Sequence, residues 1–153
     1  MKVFTLVFIA HCLIIDIETQ YLMQDDYFKL ISHIRNDLLL PPSKNSHYNF
    51  TEDRNNNQSQ FGQDYNVAKL LNFKRNGIFI EAGAYDGETH SNTLQLELQY
   101  NWTGILVEPN PDTFQLLVSK HRNCFAINTC LSITNKVEEE YFDAAGKLKW
   151  HSI

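Results

Sequence analysis

The chain has 153 residues, which is long enough for one domain with a hydrophobic core of its own. Its hydrophobic fraction is 43% and its formal net charge is −5, with no basic cluster. This balance argues against nucleic acid as a partner on electrostatic grounds. The six histidines are scattered and no metal-ligand spacing is present, so we expect no metal site.

The N-terminal segment MKVFTLVFIAHCLII contains a lysine followed by a thirteen-residue, mostly apolar run. A membrane-spanning helix needs about 17–25 residues, so this run is too short for one. It fits the apolar region of a signal peptide, with Ala10 and Cys12 small enough for a cleavage site. The alternatives are a short signal-anchor, which would hold the chain on a membrane, and a buried strand or helix. We assign residues 1–18 to a signal peptide or short anchor and expect entry into the secretory pathway.

A first helix is predicted between Asp25 and Leu40, where apolar residues recur at helical spacing, at Tyr27, Ile31, Ile34 and Leu38. Two prolines follow and end it. Residues 43–59 are rich in Asn, Ser and charge, which predicts a loop or flexible linker. Two sequons in this stretch predict glycosylation at Asn49 and Asn57.

A second helix is predicted from about Gln60 to Asn72, with one side formed by Phe61, Tyr65, Ala68 and Leu71. Two short apolar runs, GIFIEAG and TGILVEPNP, then predict buried strands, and CFAINTCLS predicts a third. The segment Leu94–Tyr100 alternates like an exposed strand. Its residues nevertheless favour a helix, and two parallel strands need a crossover, so we predict a helix there.

A further helix is predicted after the second strand. Asn110 can cap it, Pro111 suits its first position, and Asp112 suits the positive end of its dipole. Its predicted apolar face consists of Phe114, Leu117, Val118 and His121. Strands and helices alternating at this spacing predict a βαβαβ unit with a parallel sheet, and hence an α/β fold.

Two features remain near the C-terminus. Residues Val137–Trp150 predict a hairpin with its turn at Ala145–Gly146. Cys124 and Cys130 lie six residues apart in a predicted strand, which would separate them by about 20 Å. A disulfide needs Cα atoms within about 7 Å, so we expect two buried thiols rather than a pair.

The candidate site lies where the first strand ends. Gly83 and Gly87 would let the backbone approach a ligand, and Glu108, 21 residues past Gly87, is placed to bind both hydroxyls of a ribose. NAD and S-adenosylmethionine (SAM) sites share such an acid. The dinucleotide pattern G-x-G-x-x-G is absent because Tyr85 replaces its second glycine, and Glu81 would repel a pyrophosphate but favour a cationic sulfonium. A βαβ unit without a ligand is the alternative.

The blocks SQFGQD, IFIEAGAYDGETHSNTLQLEL, NWTGILVEPNP and INTCLS resemble the FkbM-type methyltransferase domain, specifically its Star-like branch in arthropods. The resemblance covers about Ser59–Ser132. It implies a Rossmann-like class I SAM-dependent methyltransferase fold in residues 59–153, preceded by a helix and polar linker in residues 19–58. The cofactor-binding residues that it implies are Glu81, Gly83, Ala84, Asp86, Gly87 and Glu108, with Asn128 where the adenine pocket is usually lined.

The resemblance also implies a cellular role. Star-like proteins are secretory-pathway membrane proteins associated with trafficking of growth-factor precursors, which implies a cargo protein as partner and the endoplasmic reticulum, Golgi or endosome as location. The class I fold has seven strands, whereas this chain supplies three and a hairpin. We therefore expect a truncated member that transfers no methyl group. A non-catalytic lumenal binding module is the alternative.

The sequence assigns no catalytic base. Asp86 and His90 are nearest to the glycine loop. We expect Asp86 to cap a helix and His90 to lie on the surface.

Overall fold

The computed structural model describes residues 27–45, 47–51, 59, 61–131, 141–142 and 148–149. The chain divides into two compact units, Met1–Asp37 and Leu38–Ile153. Residues 27–33 form helix α1, and Ile34–Leu38 continue it as a π-helical turn. The predicted first helix is thus confirmed over residues 27–38. Its last two predicted residues are wrong, because the helix ends at Leu38 and Leu40 forms an antiparallel bridge to Ala126. Its first two, Asp25 and Asp26, lie outside the described residues.

The second unit is built on a three-stranded parallel sheet with the strand order β1-β2-β3. Its helices and strands follow one another as α2 (Gln63–Leu70), β1 (Ile78–Ala82), α3 (Leu94–Tyr100), β2 (Thr103–Val107), α4 (Pro111–Ser119) and β3 (Phe125–Ile127). The predicted βαβαβ unit is confirmed, including the helix at Leu94–Tyr100. The architecture is mixed α/β with an open parallel sheet, which is compatible with a Rossmann-like fold.

The hydrophobic core lies between the sheet and the helices that connect its strands. Leu106 of β2 is fully buried, and Leu117 of α4 is 2% exposed. Helix α4 begins as predicted, because the Asn110 side chain accepts a hydrogen bond from the Asp112 amide and Pro111 takes the first position. Its predicted face is confirmed at Phe114 and Leu117. It is wrong at Val118, which is 38% exposed, and at His121, because the helix ends at Ser119.

Strand β1 is only half-buried, although a buried strand was predicted. Its exposure alternates along the chain, so that Ile78 is 80% and Ile80 43% exposed while Phe79 is buried. One face therefore packs against the core and the other does not. Within the described sheet β1 pairs with β2 alone, which leaves β1 as an edge strand.

Within the described residues helix α2 is shorter than the predicted Gln60–Asn72, and of its predicted side only Ala68 is buried. Asp64 and Ala68 are its buried residues, whereas Phe61, Tyr65 and Leu71 are exposed. The Asp64 carboxylate is buried because it accepts a hydrogen bond from the Ser59 hydroxyl at 2.6 Å and caps the Tyr65 amide. A hydrogen-bonded carboxylate therefore takes the buried position where the periodicity predicted apolar side chains.

The predicted flexible linker contacts the rest of the second unit. We call residues 40–45 and 47–51 the strap. The Ser43 amide donates to the Arg122 carbonyl at 3.2 Å, and the Asn49 amide to the Lys120 carbonyl at 3.0 Å. The predicted loop is confirmed for residues 43–45, 47–51 and 59, which form no helix or strand, and the backbone of the strap binds the turn before β3. The other residues of the predicted linker lie outside the described ones.

Three remaining expectations concern the C-terminal part and the membrane. Tyr141–Phe142 (β4) pairs antiparallel with Leu148–Lys149 (β5), as the hairpin prediction requires, while its turn lies outside the described residues. Cys124 is a buried thiol, but Cys130 is only half-buried because β3 ends before it, and the two form no disulfide. No helix within the described ranges is long and apolar enough to cross a membrane.

Candidate functional site

The loop that follows β1 crosses the end of β2 through two left-handed glycines. Gly83 has φ +73° and Gly87 has φ +75°, conformations that favour glycine. The amides of Gly83 and Ala84 donate to the Val107 carbonyl at 2.9 and 3.1 Å, which fixes the loop against β2. A Cβ at Gly83 would meet no atom within 4 Å, whereas one at Gly87 would lie 3.0 Å from Leu117 Cγ. Gly83 thus faces open space, and Gly87 packs on α4.

Glu108 joins this loop to the start of α4. Its Oε2 accepts a hydrogen bond from the Tyr85 amide at 2.8 Å, and its Oε1 accepts from the Asn110 amide at 2.9 Å and the Thr113 hydroxyl at 3.0 Å. The residue is 6% exposed. A carboxylate offers about four acceptor positions, so three of them serve the protein itself.

The three strand ends converge at Glu108. The side-chain amide of Asn128, which follows β3, donates to the Glu108 carbonyl at 2.7 Å. Asn128 is exposed. The structure therefore brings together Gly83 after β1, Glu108 after β2 and Asn128 after β3 at the carboxyl edge of the sheet, where open α/β sheets bind ligands.

Glu81 is directed to the segment before α3. It is 6% exposed and accepts hydrogen bonds from the Ser91 hydroxyl at 2.9 Å, the Asn92 amide at 2.7 Å and the Thr93 hydroxyl at 2.5 Å. Its carboxylate therefore anchors residues 91–93. Its negative charge still lies at the end of β1, next to the glycine loop.

Asp86 and His90 have local roles in the described structure. The Asp86 carboxylate accepts from the amides of Glu88 and Thr89 at 2.9 and 2.7 Å, and from the Thr89 hydroxyl at 2.7 Å. It caps a turn rather than a helix, because residues 85–90 form turns and bends. His90 is exposed, with φ +57°. These contacts give no catalytic role to either side chain.

The sequence analysis missed two buried ion pairs beside the loop. Lys120 pairs with Glu88 at 2.6 Å, and Arg122 pairs with Glu97 at 2.9 Å, with every side chain at most 7% exposed. A signal was present in the sequence, since Glu97 follows Leu94 by three residues and so shares its buried side of α3. An acid on an apolar helix face indicates a buried partner.

Two side chains near Glu97, Tyr48 and Cys124, have raised pKa values. Burial, with the charge of Glu97 and a hydrogen bond to it, raises the pKa of Tyr48 to about 12. Burial raises the pKa of the Cys124 thiol, against the lowering effect of Arg122, so the thiol is protonated and poorly nucleophilic at neutral pH.

The residues at the carboxyl edge fit a nucleoside ligand such as SAM. The space around Gly83 would admit a ligand to the backbone. Glu108 keeps about one acceptor position for a hydroxyl, and a second would require exchange with the Tyr85 amide. Among the described residues, no group of three or more His, Cys, Asp or Glu could hold a metal ion.

Comparison with known proteins adds no relative: no protein-family model, curated protein or solved structure matches the chain.

Proposed function

We propose that this chain is a SAM-binding domain of the FkbM methyltransferase type. The observation that carries the proposal is the convergence of Gly83, Glu108 and Asn128 at the carboxyl ends of three adjacent parallel strands. Nucleoside ligands bind at this edge of open α/β sheets, with a ribose on the acid that follows the second strand. The absent G-x-G-x-x-G pattern and the carboxylates at the loop favour a sulfonium over a pyrophosphate.

Each proposed contact has a physical reason. Glu108 would accept hydrogen bonds from ribose hydroxyls, and its three protein donors already hold the carboxylate in place. Gly83 would lie against the ligand with its backbone, and Asn128 would line the adenine side. Ala84 is 2% exposed and would support the loop from the hydrophobic core. Glu81 and Asp86 would act through their charge and through the turns that they hold. Bound SAM supplies an electrophilic methyl group, and we assign no catalytic base.

We further propose that the chain is a Star-like protein of the secretory pathway. The ordered sequence blocks and the apolar N-terminal run support this assignment. Its partner would then be a cargo protein, such as a growth-factor precursor passing from the endoplasmic reticulum to the Golgi or endosome.

A second candidate is a non-catalytic lumenal binding module. It is favoured by one observation: the carboxylates of Glu81 and Glu108 already accept three hydrogen bonds each from the protein. In this case the two acids stabilise the fold. The exposed Phe61, Tyr65 and Leu70 beside and on α2 would offer a surface for the partner.

Calorimetric titration separates the two candidates. The full chain should bind SAM and its demethylated product more tightly than NAD. Glu108→Ala should weaken binding by about 1–3 kcal/mol, the usual effect of leaving buried polar groups unmatched. Asp112→Asn is the matched control, because it removes an exposed carboxylate from the first turn of α4 and changes the local charge alone. Equal affinity of Glu108→Ala and wild type would remove Glu108 from the site, and no binding by the wild type would favour the binding module.

A further inference from the structure

Arg122 binds several groups of one segment at once. It lies in the turn between α4 and β3, and its side chain is 2% exposed. Its guanidinium donates to the Gly87 carbonyl, to the Ser91 hydroxyl at 3.3 Å and to the Thr93 hydroxyl at 3.2 Å. It also donates to Glu97, at 3.0 Å from Nε. A single buried cation therefore contacts both ends of the segment Gly87–Thr93.

This segment continues the glycine loop of the candidate site. Its first residue is the left-handed Gly87, and Asp86 fixes the turn around that glycine by binding the Thr89 amide. Its last residues bind Glu81 through the hydroxyls of Ser91 and Thr93. The same two hydroxyls accept hydrogen bonds from Arg122. The shape of the loop thus depends on an arginine 29 to 35 residues further along the chain.

The chemistry of arginine suits this task. A guanidinium presents five N–H donors in a rigid plane, so it can hold several oxygen acceptors in fixed directions. A lysine offers three donors from a single point and cannot span the same acceptors. Glu97 balances the charge and orients the plane, since it accepts from both Nε and Nη2. The energetic cost of burying the cation is offset by these contacts.

We propose that Arg122 is a positioning residue of the candidate site, which holds Gly87–Thr93 in the shape required for a nucleoside ligand. The part that concerns the ligand rests on the proposed function. Arg122 itself touches no ligand in this scheme. It acts through the loop, and its loss loosens the loop while the helices and the sheet persist.

The test combines two measurements on the full chain. Hydrogen exchange of the amides of residues 85–92 reports the loop, with the α4 amides of residues 114–118 as the internal reference, and calorimetry reports the affinity for SAM. Arg122→Ala leaves Glu97 buried without its cation, so we expect some loss of stability throughout the second unit. Beyond that general loss, the exchange of the loop amides should accelerate about tenfold more than that of the α4 amides, and the affinity for SAM should fall about tenfold. Added guanidinium ion should restore both values, because it can refill the space that the side chain leaves.

Two further variants sharpen the test. Arg122→Lys should loosen the loop without rescue by guanidinium, since the lysine chain fills the space, and it carries the test where Arg122→Ala does not fold. Arg75→Ala is the matched control, because Arg75 is exposed and donates to the Gln99 carbonyl at the end of α3. It should leave loop exchange unchanged.

Unchanged loop exchange in a folded Arg122 variant would overturn the proposal. Equally faster exchange in the loop and α4 would overturn it as well, since that result reports a general loss of stability. A wild type that binds no SAM would contradict the proposed function alone. In that case the exchange data and their rescue by guanidinium still decide whether Arg122 holds the loop.

Discussion

Among the described residues, six buried charged side chains surround the loop after β1, and each is bound within the protein: Glu81, Glu88, Glu97, Glu108, Lys120 and Arg122. Removing an ion from water costs several kcal/mol, so such groups persist only where their partners are in place. Glu88 meets this condition with Lys120 and with the amide and hydroxyl of Thr51. These contacts bind the strap to the loop.

Lys120→Met should therefore destabilise the chain by about 3–5 kcal/mol, because it leaves the Glu88 carboxylate buried without its cation. Replacing both partners, with Lys120→Met and Glu88→Gln together, should recover part of this loss, since no uncompensated charge is then buried. Urea unfolding at neutral pH measures both changes. Lys69→Met, at an exposed position of α2, serves as the control and should change the stability by less than about 0.5 kcal/mol. A double variant no more stable than the single one would contradict the ion-pair account.

Tyr48 gives the strap a measurable pH dependence. Burial, and then the charge and hydrogen bond of Glu97, raise the pKa of Tyr48 from 10.0 to about 12 in the folded state. Its neutral form is therefore favoured by folding. The contribution to stability is fully present below pH 10 and is lost as the pH rises through about 12. Denaturant unfolding from pH 9 upward should show that the wild type loses stability more steeply with pH than Tyr48→Phe does. Spectrophotometric titration should show the raised pKa of Tyr48 directly. Identical slopes of stability against pH would contradict the assignment.

At the scale of elements, sequence patterns predicted the regular part of the second unit and missed its polar contacts. Sequence patterns predicted the strands, the cap at Asn110 and the helical crossover at Leu94–Tyr100, because each of these depends on residues close together in the chain. The buried side of α2 was not predicted, because periodicity counts apolar residues, whereas the buried Asp64 is held by a hydrogen bond from the Ser59 hydroxyl. In the candidate site, the position of Glu108 was predicted from its strand, whereas its hydrogen bond from the Tyr85 amide joins residues 23 positions apart and was not.

The close approach of β1 and β2 yields a prediction at this scale. A Cβ at Gly104 would overlap the carbonyl oxygen and the ring of Phe79 on the neighbouring strand. Gly104→Ala should thus destabilise the second unit at or above the upper end of the usual ~1–3 kcal/mol for overpacking. Thr103→Ala, at the exposed neighbouring position, is the control. Thermal unfolding followed by circular dichroism measures the stability of both variants. Equal midpoints would show that β1 and β2 shift apart to accommodate the methyl group with little loss of stability.

For the whole molecule, the proposed location has a direct test. If the apolar run after Lys2 directs the chain into the endoplasmic reticulum, Asn49 or Asn57 should carry a glycan. Asn49 is exposed, and its side-chain amide donates to the Ser119 carbonyl at 3.0 Å through one of two hydrogens. Expression in secretory cells should give a band that glycosidase shifts, and Asn49→Gln with Asn57→Gln should abolish the shift. A cytosolic, unshifted wild-type chain would contradict the proposed compartment.

The two edges of the sheet, β1 and β3, differ in how they are covered. The outer side of β3 is bridged by Leu40 of the strap, whereas β1 pairs only with β2 among the described strands. Ile78 and Ile80 add exposed apolar surface to this open edge. Unpaired strand edges bind other chains, and a charge placed on the edge suppresses such pairing.

We therefore expect the full chain to self-associate as its concentration rises. Ile80→Lys should shift it towards the monomer in analytical ultracentrifugation, because the ammonium group would have to be desolvated between paired edges. Leu116→Lys is the matched control, since Leu116 is a comparably exposed apolar residue on α4. An equal effect of both lysines would mean that general charge governs association. A wild-type monomer at high concentration would show that the edge of β1 is protected.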